Sequence, residues 1–567
     1  MKKTILLRLW RIATISFVCF LSIISYAQAP DWLWAKSAGG ANDDEATSIA
    51  VDASGNIYVA GYYHSDTIIF GATILTNADS TGNTMNIFLA KYDANGNVLW
   101  AKSAGGIGYD LAYSVAVDDS GNAYVAGYFN SPTITFDSTT LTNAGSSNIF
   151  LVKYDANGNV LWAKSAGGGS ATSIAVDASG NIYVTGYFSN STLIFGSTTL
   201  TNAGYDDIFL AKYDVNGNVL WAKSAGGSYR DDATSIAVDA SGITYMAGWF
   251  GSPILTFGST TLTNVDNTGN IADLFLAKYD AGGNVLWAKS AGGTSDDVAT
   301  SIAVDESGNT YVAGYFQSST ITFDSTTLTI AGTYTNYDDI FLAKYDANGN
   351  VLWAKSAGGS YRDDATSIAV DASGRTYVAG WFNSPTITFE STTLTNTGTG
   401  GYYDLFLAKY DGNGNVLWAK SADGTNDDKA SSVAVDTSGN TYVAGYFKSP
   451  NITLGSYTLT NAGYYDIFIA KSDSSTVTGI NELSNSLTTS VFPNPATNNL
   501  TIEIPQKATI EILNIEGQII KSISADLPAG KQGENHTTID ISGFASGMYF
   551  VKVKSQKRIV VKKFVKE

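Results

Sequence analysis

Cysteine is almost absent from the chain. The single one, Cys19, sits in an apolar N-terminal run between Val18 and Phe20, without the small neighbours of a lipoprotein cleavage site. With that run removed there is no disulfide, no Cys-based metal site and no thiol nucleophile, so stability rests on packing alone. Histidine is nearly as scarce: His64 and His536 lie in what read as different domains. A Ser-His-Asp triad in the main body would have only His64 to use, and that residue reads as part of a loop beside Tyr63 and Ser65. Helical periodicity is missing throughout, and no later segment is long and apolar enough to cross a bilayer. Bases are outnumbered, 33 against 51 acids, for a net charge of −18. From Asp31 to Glu482 the balance is −25, whereas from Ser490 onward it is +3. An acidic body argues against binding nucleic acid or anionic lipid, and the change of sign marks a domain boundary.

What is present begins with an export signal. Lys2, Lys3, Arg8 and Arg11 precede the apolar run Ile12 to Ile24, and Ser25-Tyr26-Ala27 offers small residues for cleavage after Ala27. Residues 1–27 therefore read as a signal peptide that leaves no membrane anchor in the mature chain.

The body is repetitive. The Trp of "WAKS" recurs at 34, 100, 162, 221, 287, 353 and 418, seven copies spaced by 59 to 66 residues. Each unit holds four short runs, "SIAVD", "IYVAGYF", "IFLAKYD" and "VLWAKS", rich in β-branched and aromatic residues and punctuated by Gly and Asn. The runs are nearly continuous, as strands covered on both faces require. Four strands in each of seven units predict a seven-bladed β-propeller. The seventh unit stops at "IFIAKSDSS" with no "VLWAKSAGG" after it, while an orphan "DWLWAKSAGG" opens the body at Asp31. We expect this N-terminal strand to close the last blade of an all-β ring. A monomeric ring is the expected product of such closure, spanning 30–473, with a polar linker at 474–489 and a small β-sandwich at 490–567.

Two turns of each unit, "DASGN" and "DANGN", are Asp-x-x-Gly-Asn reversals in which Gly and Asn should take up left-handed backbone. Both fall at one end of an up-and-down blade, so the longer connections emerge at the other end. These are the "AGGSYRDDATS" type between blades and the "NSPTITFGSTTLTNAG" type within a blade, the latter an extra hairpin. Function is expected on that loop face. Its candidate ligand-binding residues are Tyr205, Tyr229, Arg230, Asp231, Asp232, Tyr334, Tyr337, Tyr361, Arg362, Asp363, Asp364, Tyr402 and Tyr403. Tyrosine and arginine are enriched in recognition hot spots, and tyrosine faces stack on sugar rings. The structural reading of the same residues is that they cover blade edges.

Acid pairs recur between blades: Asp43-Asp44, Asp231-Asp232, Asp296-Asp297, Asp363-Asp364 and Asp427-Asp428. Ca²⁺ takes six to eight oxygen ligands, but adjacent acids lack the spaced Asp-x-Asp-x-Asp-Gly loop that wraps it. No metal or other cofactor is expected, Ca²⁺ being the one ion the pairs invite.

The unit "SIAVDASGNIYVAGYF…IFLAKYDANGNVLWAKSAGG" resembles the SBBP-type β-propeller repeat family over Trp32 to about Asp473. That resemblance implies an extracytoplasmic repeat protein and carries no catalytic residues. "YDANGNVLW" also resembles the tryptophan-docking motif of quinoprotein dehydrogenases and the Asp-box of sialidases, in both of which the Trp packs between blades. The tail resembles the C-terminal sorting domains of the type IX secretion system. It does so through "VFPNPATNNLTIEI", "ATIEILNIEGQIIKSI", "TIDISGFASGMYFVKV" and the basic end "RIVVKKFVKE". The resemblance implies a Gram-negative bacterium, passage through the periplasm, recognition by the secretion machinery, and release or tethering at the outer surface. The expected function is adhesion or recognition of a glycan or protein, without catalysis. The alternatives are a polysaccharide hydrolase or lyase using loop carboxylates, and a structural surface component.

Overall fold

The computed structural model describes residues 29–79, 83–143, 145, 147–266, 268–332, 337–398, 401–422, 424–473, 490–503, 508–514, 518–525, 536–555 and 558–567. The expected signal peptide with its Ala27 cleavage site, Tyr334 and the 474–489 linker lie outside the described residues. The chain forms two compact units, Met1–Thr476 and Val477–Glu567.

In the first unit the four runs of each repeat pair as consecutive antiparallel strands. The first blade shows the pattern: an inner strand Asp44–Val51, then Ile57–Tyr63, Asn86–Tyr92 and an outer strand Val98–Ala104. Every residue of the third strand is buried, because both of its faces lie against neighbouring sheets, which explains the near-continuous apolar runs. Thr67–Phe70 and Thr73–Thr76 form the extra hairpin, whose alternating burial lays Ile68, Phe70 and Leu75 onto the blade. Phe70 meets Phe88 at 5.1 Å between ring centroids.

Among the described residues of this unit there are seven such four-stranded sheets. A Ser hydroxyl on each inner strand accepts the backbone N–H of the next blade: Val115 to Ser48, Ile174 to Ser114, Ile236 to Ser173, Ile302 to Ser235, Ile368 to Ser301 and Val433 to Ser367. The seventh bond, Ile49 N to Ser432 Oγ at 3.2 Å, returns to the first blade. The apolar cores lie between blades; one joins Trp34, Tyr442 and Ile467 of the seventh to Ile57 and Phe88 of the first.

The last sheet is ordered Trp32–Ala38, Asp466–Ser472, Thr441–Phe447, Asp428–Val435, so the orphan strand is its outer member. This seam differs from its six counterparts. Elsewhere an outer-strand Trp indole donates to a carbonyl in the next blade's Asp-x-x-Gly-Asn turn, as Trp34 to Ala94 and Trp100 to Ala156, each at 3.2 Å. Trp418 faces the seventh blade, where the chain ends replace that turn, and its buried Nε1 has no partner among the described residues. Lys420 fills the gap. Its Nζ lies 3.8 Å from the Trp32 ring centroid and donates to Pro30 O at 3.0 Å and Ser472 Oγ at 2.6 Å.

The turns correct one sequence expectation. Gly55 alone takes positive φ, at 79°, while Asn56 clamps the turn from its side chain, Nδ2 donating to Asp52 Oδ2 at 2.8 Å. In the hairpins, position 71 and its equivalents 196, 258 and 455 are Gly at φ 58–61°, whereas Asp137, Asp324 and Glu390 hold φ of 49–51°. Such backbone is strained for a side-chain residue, by about 1 kcal/mol. The carboxylates offset it by accepting the first N–H of the outer strand, Val160 and Val351 at 3.1 Å and Val416 at 3.2 Å. Asp324→Ala keeps the strain and loses the bond, so denaturant unfolding should show a loss of about 1 kcal/mol, whereas Asp324→Gly loses both and should be near neutral.

The second unit is also all β in its described residues. Val491–Phe492, Asn499–Glu503 and His536–Asp540 form one sheet. Ile519–Ala525, Ala508–Leu513, Gly547–Ser555 and Arg558–Lys566 form the other. Leu500, Ile502, Ile510, Ile512, Ile539, Val551 and Phe564 make their shared core. Tyr549 Oη donates to Ala545 O at 2.9 Å, and Ala496 N donates to Val565 O at 2.8 Å. These bonds fix the Ser-Gly-rich turn and tie the Pro-Asn-Pro loop to the last strand.

Candidate functional site

The turn face offers a polar depression of about 420 Å³ on blades two to four, walled by Asp118, Asp177 and Asp239. Its carboxylates are already committed. Each accepts bonds from its own turn and from a Tyr hydroxyl, for example Tyr124 Oη to Asp118 Oδ2 at 2.9 Å and Tyr183 Oη to Asp177 Oδ2 at 3.1 Å.

At the opposite end of the channel the inner strands begin with a buried Asp: Asp44, Asp110, Asp231, Asp297, Asp363 or Asp428. Its job is structural. Asp231 accepts Ser252 N at 3.1 Å, Ser252 Oγ at 2.8 Å and Gly227 N at 2.8 Å. The next residue alternates to the channel, where the repeats disagree: Glu45, Leu111, Ser170, Asp232, Val298, Asp364, Lys429. Across the ladder from these seven stand Tyr62, Tyr128, Tyr187, Trp249, Tyr315, Trp381 and Tyr446, an aromatic at every blade. A cavity of about 510 Å³ opens here, bordered by Asp232, Thr366, Trp381, Lys429 and Tyr446.

The charges concentrate on blades six, seven and one. Lys429 Nζ lies 4.2 Å from the Trp381 ring centroid and 3.9 Å from that of Tyr403. Burial lowers its pKa, with Asp427, Asp364 and Glu45 opposing. Burial lifts the Asp364 carboxyl well above the usual range, Asp338 adding to it and Lys429 opposing. Asp232 is raised in the same way, by burial and then by Asp206. The Oδ1 atoms of Asp232 and Asp364 are enclosed and have no hydrogen-bond partner among the described residues.

Between blades, the residue before each inner strand meets the residue before the third strand of the preceding blade. Arg230 Nε pairs with Asp206 at 3.2 Å and Arg362 Nε with Asp338 at 3.1 Å. Tyr205 stacks parallel to Tyr229 at 6.5 Å, and Tyr337 meets Tyr361 edge-on at 5.3 Å. Tyr402 is exposed, while Tyr403 is half-buried against Trp381, 4.5 Å between centroids.

Tyr205, Tyr229 and Arg230, and likewise Tyr337, Tyr361 and Arg362, thus gather at two junctions, Tyr402 and Tyr403 lie at the six/seven junction, and Asp232 and Asp364 face the channel. Asp231 and Asp363 correct the sequence expectation: both are fully buried in the scaffold and offer nothing to a ligand. The pairs Asp231-Asp232 and Asp363-Asp364 split between the two sides of a strand, because neighbouring residues there point to opposite faces, whereas Asp43, Asp296 and Asp427 precede the strands that Asp44, Asp297 and Asp428 open. Among the described residues no group of three or more His, Cys, Asp or Glu is placed to hold a metal ion. Sequence reasoning missed Glu45, Lys429, Trp381, Tyr446, Asp206 and Asp338. A signal existed: two residues before the Ala of "ATS" and its variants stands the buried acid in six of the seven repeats, Gly169 taking its place in the third, and the residue after it is the variable one.

Residues 490–567 match the secretion system C-terminal sorting domain, and 33–62, 99–132 and 286–315 match the β-propeller repeat SBBP. The chain carries SBBP β-propeller repeats and a type IX sorting domain. The sorting domain marks it for export by the type IX machinery to the cell surface or the extracellular space. No helix among the described residues is long and apolar enough to cross a membrane. The SBBP chain is 28% identical over 464 residues to the uncharacterized WD repeat-containing protein L264 of Acanthamoeba polyphaga mimivirus, covering 68% of this chain and 33% of the relative. It is 24% identical over 295 residues to regulatory protein FlaEY of Caulobacter vibrioides, covering 50% and 30%. It therefore spans about a third of the length of these curated relatives. Among solved structures, PorZ of Porphyromonas gingivalis, a surface component of the type IX secretion system, overlays with TM-score 0.27 at 12% identity, over 92% of this chain and 75% of its own. Sqt1 of Chaetomium thermophilum gives 0.36 at 9%, over 77% and 87%. Overlays this loose carry no argument about the propeller, whose architecture rests on its strand pairing.

Proposed function

We propose that the exported propeller recognises a glycan at the loop end of its channel, without catalysis. The observation behind this reading is the break in repetition. Scaffold positions repeat from blade to blade, while the channel position changes from Glu to Leu, Ser, Asp, Val and Lys beside a retained aromatic. Aromatic faces supply flat apolar contact for a sugar ring, and the polar side chains at the channel position supply hydrogen-bond partners for its hydroxyls.

The test is an oligosaccharide array probed with the full secreted chain, followed by product analysis of each bound sugar. Wild type should bind and leave the sugar intact, and Trp381→Ala should weaken binding about 30-fold with an unchanged melting temperature. Cleaved sugar, or binding indifferent to Trp381 and Lys429, would remove the support for this reading.

A further inference from the structure

Two junctions of the ring are built from the same parts. Blade three ends its loop with Tyr205-Asp206-Asp207, and blade four opens with Tyr229-Arg230-Asp231-Asp232. Blade five presents Tyr337-Asp338-Asp339 and blade six Tyr361-Arg362-Asp363-Asp364, from a second copy of "GGSYRDDATS". The structure brings both sets together at corresponding places, the first tyrosine pair stacked parallel and the second edge-on. Each has two tyrosines in ring contact, an Arg Nε–Asp pair at 3.1–3.2 Å, and a channel-facing Asp with an enclosed, unpartnered Oδ1. The junction between them lacks this set: Ala272 N donates to Asp296 Oδ1 at 2.9 Å, with no aromatic pair.

Holding the ring closed does not require these parts, since the other junctions close without an Arg–Asp pair. Asp428 N reaches Tyr403 O, with Tyr403 N donating to Asp427 Oδ1 at 3.3 Å, and Asp44 N reaches Tyr465 O, the backbone bond that Asp231 N and Asp363 N also make. Part of each set remains open to solvent: Tyr205 is 66% and Tyr361 39% exposed, and the Arg230 and Arg362 side chains 73% and 49%, while Asp338 is buried.

We propose that the three/four and five/six junctions are two equivalent subsites for one neutral sugar motif, so that a polysaccharide repeating that motif is held twice. This rests on the glycan reading above and extends it. Each Arg–Asp pair is neutral as a unit and fixes donors beside acceptors, the pattern vicinal hydroxyls need, and the tyrosines cover the sugar's apolar face. Polyanions are disfavoured by the net charge of −18. Two tethered contacts raise the apparent affinity for a polymer far above that for its fragment.

The experiment uses the full secreted chain and neutral gluco- and manno-oligosaccharides of two to eight units. Calorimetry gives the stoichiometry, and binding to the parent polysaccharides gives avidity. Tyr205→Ala/Arg230→Gln and Tyr361→Ala/Arg362→Gln should each remove one equivalent of the same oligosaccharide. Each should weaken polysaccharide binding about 100-fold, and the combined variant should bind no better than background. Tyr205→Ala alone, at an exposed position, serves where a double variant folds poorly, and should weaken one equivalent.

Neutral sugar binding that depends on Trp381 yet ignores both junctions would overturn the two-subsite assignment and leave the channel reading standing. Loss of all binding through one junction, or different sugar preferences at the two, would also overturn it. No binding of any neutral sugar would sink both.

Discussion

A mature chain lacking residues 30–38 should melt about 10 °C below the intact one in calorimetry. The strand removed holds Trp32, Trp34, Ala35 and Ala38, all buried. Burial of each Trp is worth about 3–5 kcal/mol, and a unit of roughly 440 residues loses about 0.9 kcal/mol per degree at its transition. The loss is concentrated where the ring is already weakest. Trp34 packs 6.5 Å from Tyr442 and donates to Ala94 of the first blade, so its removal frees the seventh blade from its neighbour as well as from its own edge. The third strand, Asp466–Ser472, then becomes an unpaired edge carrying Ile467, Phe468 and Ile469, which are fully buried in the intact ring. An exposed apolar edge invites association, so the truncated chain should also aggregate on heating. A truncated chain that melts with the parent would show that the seventh sheet stands without its clasp.

That clasp could be read before any coordinates because it is a matter of arithmetic. The last repeat lacks one strand, and the first residues of the body supply one. The strand order, the extra hairpin and the uniform turn face follow from the same repetition, since period and turn chemistry are local properties. The channel mouth was harder to read for a physical reason. Which way a strand residue points depends on register, and a slip of one residue moves it to the other face. Asp231-Asp232 and Asp43-Asp44 look alike as dipeptides, yet Asp232 faces the channel while Asp44 is a scaffold acid and Glu45 takes the channel position. The Arg230–Asp206 and Arg362–Asp338 pairs join residues of different repeats, and only the packing of neighbouring blades brings them together.

The scaffold acids also set how the propeller answers to pH, and the expected direction is stabilisation on mild acidification. At four junctions the acid opening an inner strand interacts with the acid opening the preceding blade's third strand: Asp44 with Asp466, Asp231 with Asp207, Asp297 with Asp273, Asp363 with Asp339. Burial first, and this like-charge partner further down the causes, raise Asp44, Asp231, Asp297 and Asp363 to about 7 despite the bonds they accept. Asp339 also reaches about 7, and Asp207, Asp273, Asp428 and Asp466 about 6. The unfolded chain releases these protons near pH 4, so between about 4 and 7 the folded form holds protons that the unfolded form has lost. The resulting stability is complete at the acid end and disappears as pH rises through the folded values. Lys420, lowered to about 7 by burial, costs stability as pH falls from its ordinary range to about 7 and changes little below it. The exposed turn acids Asp93, Asp155 and Asp214 are lowered, and their contribution is lost only below the ordinary carboxylate range. A contribution of only about 0.5 kcal/mol per raised carboxyl gives a melting temperature about 5 °C higher at pH 5 than at pH 8. The first blade already carries the control, Asn86 in place of an acid partner for Asp110. Asp207→Asn with Asp339→Asn should therefore flatten the rise, and a wild-type melt that is level from pH 8 to pH 5 would refute the coupling of these pairs to folding.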